Sequence, residues 1–145
     1  MPKILSVCVS AAKGTAKQPV ERASLLPEHG IDGDAHAGDW HRQVSLLAQE
    51  SHDKMTAKGA KVRHGDFGEN IVTEGIVLFD LPVGALLRLG PSALVRVSQI
   101  GKQCHDRCAI YARVGDCVMP REGIFVEVLT GGTIKAMDDI AVIDA

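Results

Sequence analysis

The sequence has few aromatic residues and no long apolar run. Phenylalanine, tyrosine and tryptophan together make up 3% of the 145 residues, so the chain has little of the aromatic surface on which proteins stack single-stranded bases. Its apolar runs fall well short of the roughly 20 residues that cross a bilayer. The apolar stretch at the N-terminus is interrupted by Ser6 and Ser10 and lacks the cleavage site of a secretory signal. We therefore expect a cytoplasmic protein that binds neither nucleic acid nor membrane.

A strong net charge is also missing. Sixteen basic and eighteen acidic residues give a net charge of −2, so the molecule as a whole does not attract polyanions, and only a local group of basic side chains is expected to bind an anion. The nucleophile elbow, the phosphate-binding P-loop, the H-E-x-x-H zinc motif and the dinucleotide-binding glycine motif are absent as well. Their absence removes the enzyme classes that depend on them.

Short runs of valine, isoleucine and leucine are abundant and lie between 15 glycines and 6 prolines, a pattern typical of strands. Seven such runs are predicted to be strands: Lys3 to Val9, Val44 to Ala48, Asn70 to Thr73, Ala85 to Leu89, Ala93 to Gln99, Ile124 to Leu129 and Asp139 to Ile143. Gly90 to Ser92 is predicted to form a tight hairpin turn, and Gly131 with Gly132 to form a turn that uses positive φ angles.

Helices are fewer. Glu50 to Gly59 is predicted to be a short helix with Ser51 as its cap and Gly59 at its end, and His105 to Val114 is a second candidate. Because the long helices of parallel crossovers are missing, the chain is expected to be mainly β, a barrel or sandwich with two or three short helices. Its length and the absence of a linker predict one domain over residues 1–145.

The segment GIDGDAHAGDWHRQ, residues 30–43, is rich in glycines, acids and histidines and contains almost nothing that would fill a core. Glycines allow a ligand to approach the backbone, and free amides near Gly33 and Gly38 would receive an anion. In an extended chain Asp34 and His36 point the same way, so the carboxylate would orient the imidazole. His41 and Arg42 add hydrogen-bond donors. The alternative is a solvated loop between two strands.

A second candidate is the segment QIGKQCHDRCAIYAR, residues 99–113, in which Cys104 follows a predicted strand. Lys102, His105 and Arg107 surround the thiol, and cationic neighbours stabilise a thiolate, which predicts a nucleophilic or metal-binding sulfur. Cys108 would lie on the same side of a following helix and could resolve a persulfide or form a reversible disulfide.

Two other interpretations of the cysteines stay open. A zinc site would use Cys104, Cys108, Cys117 and a histidine, but their spacing does not match the common zinc motifs. Alternatively the thiols are inert core residues, which is the preferred interpretation for Cys8 inside a strand. Nothing in the sequence requires disulfides, so reduced thiols are expected.

Three features together resemble the molybdenum-cofactor sulfurase C-terminal (MOSC) domain. They are GIDGDAHAGDWHRQVSLL, then GDFGENIVTEGIVLFDLPVGALLRLG, and then a cysteine after a strand. The similarity extends from Lys3 to Ile143, and the segment from Gly65 to Asn70 is its most specific part. The chain departs from the family at Ala35, where an arginine is frequent.

The resemblance implies a closed or partly open β-barrel, similar to the barrel of pyruvate kinase, in a small stand-alone member of the family. It implies that Cys104 binds molybdenum of the molybdenum cofactor or transfers activated sulfur as a persulfide, with Asp34 and His36 in catalytic roles. The residues expected to hold the cofactor are Gly33, Gly38, His41, Arg42, Glu69, Asn70, Lys102 and Arg107.

The partners implied by the resemblance are proteins of cofactor biosynthesis or sulfur donors. Alternative functions are a molybdenum-cofactor-dependent reductase of N-hydroxylated compounds and a non-enzymatic module that delivers cofactor or metal. Pyridoxal phosphate, which full-length sulfurases carry in another domain, is not expected because no lysine lies in a setting typical of a Schiff base.

Overall fold

The computed structural model describes residues 2–12, 16–59, 61–101 and 122–143. These ranges form a mainly β structure. Its strands are β1 (Lys3–Val9), β2 (Gln18–Val20), β3 (Arg22–Leu26), β4 (Gly30–Ile31), β5 (Val44–Ala48), β6 (Ile71–Glu74), β7 (Leu86–Leu89), β8 (Ala93–Ile100), β9 (Ile124–Thr130), β10 (Gly132–Lys135) and β11 (Ile140–Ile143). Helix α1 (Gln49–Ala57) connects β5 to β6, and a 3-10 helix (Leu78–Asp80) precedes β7.

The strands form two sheets. The larger has the order β11-β7-β8-β9-β5-β6-β1-β2, and the smaller has the order β10-β3-β4. Neighbouring strands are antiparallel apart from β5 and β6, which are parallel. Parallel strands need a crossover connection, and α1 supplies it.

A closed or partly open barrel was expected, and the two sheets are not closed into a barrel among the described residues. After β9 the chain passes through Gly131, and β10 then pairs with β3 in the smaller sheet. An isolated bridge joins Lys3 to Asp139, and the Ile4 N–H donates to the Asp138 carbonyl at 2.8 Å, so the first strand contacts the turn before β11 without a continuous ladder. The prediction of a mainly β fold is confirmed. Of the predicted closed or partly open barrel, the closed form is not found in the part of the chain that the structure describes.

One apolar core lies between the two sheets and is built from alternating strand positions. In β3, Ala23 and Leu25 are buried while their neighbours are exposed, as expected for a strand with one face on the core. β5 is buried at every position because it lies in the middle of the larger sheet. The largest fully buried apolar side chains are Ile4, Leu25, Ile31, Leu46, Leu47, Met55, Ile71, Leu78, Leu87 and Leu89.

The seven predicted strands are all present, with ends that differ by at most one residue. The turn from Gly90 to Ser92 connects β7 and β8 as predicted, because Leu89 pairs with Ala93. The predicted first helix is α1, but Ser51 lies inside it and its hydroxyl donates to Glu122 Oε1 at 2.6 Å, so the predicted cap is wrong. The second predicted helix, His105 to Val114, lies outside the described residues. No helix in the described ranges is both long enough and apolar enough to cross a membrane.

Gly131 and Gly132 are needed for space and not for positive φ. Neither adopts a positive φ angle. A Cβ on Gly131 would lie 2.8 Å from the Leu25 carbonyl oxygen, and one on Gly132 would lie 2.5 Å from Ser92 Oγ. The close approach of β10 to β3 and to the β7–β8 turn therefore explains both glycines.

Candidate functional site

The loop between β4 and β5, residues 32–43, is held in one conformation by backbone hydrogen bonds. The Ala35 N–H donates to the Ser10 carbonyl at 2.8 Å, and the Gly38 N–H donates to the His29 carbonyl at 2.6 Å. The expectation of a free amide is therefore not met at Gly38. Gly33 has a φ of 85°, and a Cβ added there would meet nothing within 4 Å. Gly33 borders open space, where a ligand could approach the backbone.

A lysine that sequence analysis did not single out lies beneath this loop. Lys17 Nζ lies 2.8 Å from Asp34 Oδ1, and both side chains have 0% exposure. The same ammonium donates to Ser10 Oγ at 3.1 Å and lies 3.0 Å from His36 Nδ1. An ammonium has three N–H donors. Each donor of Lys17 therefore has an acceptor, and we call Ser10, Lys17, Asp34 and His36 the lysine cluster.

Asp34 is ionised within the lysine cluster. Burial alone would raise the pKa of its carboxyl, but hydrogen bonds from Lys17, from the Ser10 N–H and from the His36 N–H, together with the charge of Lys17, hold that pKa below its ordinary value. The two backbone N–H donors lie 3.1 Å from the carboxylate oxygens. A buried ion pair is tolerated when its remaining hydrogen-bonding capacity is met in this way.

His36 is oriented differently from the sequence prediction. The Asp34 carboxylate accepts a hydrogen bond from the backbone N–H of His36, while the imidazole Nδ1 is contacted by Lys17. The Trp40 indole N–H donates to the His36 carbonyl at 2.8 Å and fixes the backbone from the other side. Asp34 therefore positions the His36 backbone, and Lys17 positions its ring.

His41 and Arg42 connect the loop to the end of β8. The Ser98 hydroxyl donates to the His41 carbonyl, and Arg42 Nε donates to Gln99 Oε1 at 3.2 Å. The Arg42 guanidinium also lies 5.2 Å from the centre of the Phe125 ring. These contacts place the backbone of His41 and the side chain of Arg42 at β8, the strand that leads along the sequence to residues 102–121.

Asn70 has a structural environment. Its Oδ1 accepts from the Ser45 N–H at 3.0 Å and from the Ser45 hydroxyl at 3.2 Å. Its Nδ2 donates to the Cys8 carbonyl at 3.0 Å. The side chain has 0% exposure, so it joins β1, β5 and the start of β6 and does not form the rim of a pocket.

Glu69 belongs to a second polar group, which we call the histidine cluster: His52, His64 and Glu69 with Ser6 and Gln49. The Glu69 carboxylate is hydrogen-bonded to His52 Nε2 and accepts from the Phe67 N–H at 3.1 Å. His64 Nδ1 is hydrogen-bonded to the Ser6 hydroxyl, and its Nε2 lies 2.6 Å from Gln49 Oε1. The buried Glu69 is therefore turned toward α1 and away from the expected rim.

The pKa of His64 is lowered mainly by burial, with a further contribution from the charge of His52 that Glu69 partly opposes. The two imidazole rings meet edge to face at 5.4 Å between centroids. His64 is therefore neutral near neutral pH.

Cys8 lies between the two clusters and is buried, as predicted for an inert thiol. Burial, followed by the charge of Glu69, raises the pKa of the Cys8 thiol to about 12. Because the thiolate is the reactive form, Cys8 is unsuited to sulfur chemistry.

The predicted catalytic thiol Cys104 lies outside the described residues, as do Lys102, Arg107, Cys108 and Cys117. Their roles stay predictions. Within the ranges that are described, no three histidine, cysteine or acidic side chains converge as a metal-binding group.

Several solved structures share this fold. The YUAD protein from Bacillus subtilis is 17% identical, with a TM-score of 0.79, and the alignment covers 97% of this chain and 94% of that one. YiiM from Geobacillus stearothermophilus is 20% identical, with a TM-score of 0.73 and coverage of 99% and 76%. YiiM from Escherichia coli is 19% identical, with a TM-score of 0.68 and coverage of 100% and 71%.

No curated protein matches the chain. The family model of the MOSC domain matches residues 32–141, which is more than half of the sequence and includes the loop above the lysine cluster as well as the histidine cluster segment His64–Asn70. The chain therefore belongs to the MOSC domain family.

Proposed function

We propose that this domain binds the molybdenum cofactor, or carries activated sulfur to it, through the Cys104 thiolate, with the 32–43 loop holding the anionic part of the cofactor. MOSC domains are associated with molybdenum-cofactor proteins. The observation that carries the proposal is the junction of this loop with the end of β8. There Arg42 contacts Gln99, and the chain continues from Gly101 toward Cys104.

The short separation of Cys104 from Gly101 in the sequence supports this junction as the site where the cofactor would bind. Cys104 follows Gly101 by three residues, and an extended chain covers at most about 11 Å over that separation. The Gly101 N–H donates to the Gly123 carbonyl at 2.6 Å, so the described residues on the two sides of segment 102–121 are in contact here. Cys104 is five residues along the sequence from Gln99, which Arg42 contacts.

The residues at the junction suit an anionic cofactor. Arg42 is half-buried, and its terminal guanidinium nitrogens have no hydrogen-bond partner within the part of the chain that is described. A guanidinium of this kind binds phosphate through paired N–H donors. His41 is exposed, and Gly33 borders open space. These three groups would hold the phosphate, whereas Lys17, Glu69 and Asn70 are already satisfied inside the protein and would not.

The bound cofactor would supply a metal that accepts a soft sulfur ligand. The chain would contribute the Cys104 thiolate as that ligand, Arg42 as the countercharge and His36 as a fixed neighbour. Cys8 would contribute nothing, because its thiol stays protonated.

The test is the cofactor content of Cys104→Ser protein purified from a molybdate-fed host, measured as molybdenum by elemental analysis and as pterin by fluorescence after oxidation. We expect the variant to lose both, and Cys8→Ala, which removes a buried thiol, to keep them. Wild-type cofactor content in the Cys104→Ser protein would contradict the proposal.

A second variant tests the loop. Arg42→Gln removes the guanidinium, and the loss of a charge-assisted hydrogen bond of about 1.5 to 3 kcal/mol predicts at least roughly tenfold weaker cofactor retention. Arg88→Gln on β7 removes an exposed arginine away from the junction and serves as the matched control. Equal retention by both variants would show that Arg42 does not hold the cofactor.

A further inference from the structure

The histidine cluster contains a serine hydroxyl that is bonded to an imidazole. Ser6 Oγ is hydrogen-bonded to His64 Nδ1, and His64 Nε2 lies 2.6 Å from Gln49 Oε1. The amide Nε2 of Gln49 in turn donates to Asp53 Oδ1 at 2.9 Å. Side chains from β1, from the turn before β6 and from α1 therefore form one continuous series of hydrogen bonds.

The carboxylate of Asp53 determines which atom donates in each of these hydrogen bonds. A carboxylate accepts and does not donate, so the amide group of Gln49 that faces Asp53 is Nε2, and Oε1 faces His64. An amide oxygen also accepts without donating, so His64 carries its proton on Nε2. Burial lowers the pKa of His64 and keeps the ring neutral near neutral pH, so Nδ1 has a lone pair. Ser6 is then the donor, and its hydroxyl proton points at a nitrogen base.

A β-bulge in β1 determines which way Ser6 points. Between Ile4 and Ser6, two steps along β1 match one step along β6. Ile4 and Val7 both lie in the apolar core, although strict alternation would place residues three apart on opposite faces of the strand. Ser6 therefore leaves the core face and lies on the same face of β1 as Cys8. Bulges beside functional sites redirect side chains in this way.

We propose that Ser6 is a nucleophile with His64 as its general base and Gln49 as the positioning residue, and that this group accepts the acyl group of a small carboxylic ester. The arrangement has the three parts of a nucleophilic site: a hydroxyl, a base within hydrogen-bond reach, and an acceptor that orients the base. None of these residues is assigned to the cofactor, so this inference is independent of the proposed function.

The proposed reaction has two steps and conserves atoms and charge. The Ser6 oxygen attacks the ester carbon while its proton passes to His64 Nδ1, and the leaving alcohol takes that proton as its bond to the acyl carbon breaks. Water then attacks the acyl group on Ser6, its proton passes to His64, and the acid leaves as the Ser6 oxygen takes the proton back. One ester and one water become one acid and one alcohol, and no oxidant or reductant is consumed.

The surroundings of His64 suit a general base. Ser6, His64 and Gln49 are each half-buried, so each keeps some contact with solvent. The charges of His52 and Glu69 act on His64 in opposite directions, and these two side chains are bonded to each other. A base that is neutral near neutral pH is free to take a proton there.

The test is acetylation of the full chain by p-nitrophenyl acetate, with the acetylated residues located by mass spectrometry. Ser24 on β3 is an internal control, because it is exposed and has no hydrogen bond to a base among the described residues. We expect Ser6 to be acetylated at least about tenfold faster than Ser24. If the acetyl group is hydrolysed quickly, slower release of p-nitrophenolate by Ser6→Ala shows the same reaction. Failure of both results would overturn the proposal.

Variants of the base and of its acceptor test their roles. His64→Gln cannot take up the proton, so acetylation of Ser6 should fall at least about a hundredfold, whereas His29→Gln replaces a histidine outside the cluster and should leave the rate unchanged. Gln49→Leu removes the acceptor and should slow the reaction roughly threefold or more, and Gln49→Glu should restore it. An unchanged rate in His64→Gln would overturn the role of the base, and one in Gln49→Leu that of the positioning residue.

The pH dependence of the wild-type reaction decides the role of His64 even if the variants do not fold. Neutral His64 is the form that takes the proton, so the rate of Ser6 acetylation should rise through a midpoint below pH 6.5 and be level above it. A hydroxyl without a base would react at a rate that keeps rising with hydroxide concentration, as we expect for Ser24. That second profile at Ser6 would overturn the proposal.

Discussion

Asn70 is a single side chain that joins three strands. Its amide oxygen accepts two hydrogen bonds from Ser45 on β5, its amide nitrogen donates to Cys8 on β1, and its own backbone leads into β6. These groups are buried, so none can turn to water when a partner is lost. Asn70 is therefore expected to stabilise the fold and not to contact a ligand directly.

We expect Asn70→Ala to lower the free energy of unfolding by roughly 2 to 4 kcal/mol, because buried donors and acceptors on Ser45 and Cys8 lose their partner. Urea unfolding followed by circular dichroism measures the change. Thr73→Val on β6 is the control, since Thr73 Oγ1 is buried without a hydrogen-bond partner among the described residues, and its removal should leave stability equal or higher. A stable Asn70→Ala protein that merely loses ligand would contradict this assignment.

The residues of the candidate site could be predicted from the sequence where the site is marked by the composition of one continuous segment. The glycine, aspartate and histidine content of residues 30–43 indicated the loop that the structure places over the lysine cluster. Lys17 could not be found, because nothing around it in the sequence distinguishes a buried lysine from an exposed one. Its partners Asp34 and His36 are 17 and 19 residues away, and only the fold brings them together.

At the scale of elements, the strands that sequence analysis missed are the short ones. β2 has three residues, one of them Pro19, and lies at the edge of the larger sheet, where a residue without an N–H is tolerated. β4 has two residues. β3 alternates buried and exposed positions at Ala23 and Leu25, so a pattern was present there, but it is too short to be distinguished from a loop. The longer strands carry enough apolar residues to be recognised.

The turn before β6 and the segment before β2 are in backbone contact at Gly65. Its φ angle is 93°, and a Cβ there would lie 2.0 Å from the Lys17 carbonyl oxygen. The Lys17 N–H in turn donates to the Gly65 carbonyl at 2.9 Å. The turn before β6 and the approach to β2 are therefore packed backbone to backbone, and this contact sets the position of Lys17.

Gly65→Ala should destabilise the protein by more than about 2 kcal/mol, since it adds a clash with backbone to the cost of a positive φ angle. Gly68→Ala is the matched control: its φ is 80° in the same turn, but its Cβ would meet nothing within 4 Å, so only about 1 kcal/mol is expected. Thermal unfolding of both variants checks the difference. Similar losses would show that conformation alone, and not the contact with Lys17, requires the glycine.

At the scale of the whole molecule, the two clusters make stability depend on pH in the same direction. The pKa of His64 is below its ordinary value of 6.5 in the folded protein, so the unfolded chain takes up that proton first. The contribution of His64 is therefore complete above about 6.5 and declines as the pH falls toward the folded pKa. The lowered pKa of Asp34 adds stability that is complete above its ordinary value of 3.8 and is lost as the pH falls through the folded pKa.

We expect the free energy of unfolding to be level near neutral pH, to decline below about 6.5 and to decline further in the range of Asp34. Urea titrations at a series of pH values measure this profile. His64→Gln should remove the first decline and leave the second, because glutamine does not titrate. A profile in that variant identical to the wild type would show that His64 does not cause the first decline.

Trp40 is an intrinsic fluorescent probe of the 32–43 loop. It is the single tryptophan of the chain, its indole N–H is bonded to the His36 carbonyl, and its ring meets His41 edge to face at 5.8 Å between centroids. The ultraviolet emission of this protein therefore originates beside the lysine cluster, while its far-ultraviolet dichroism originates in the sheets. Recorded together during denaturation, the two optical signals report whether the loop melts with the strands or ahead of them.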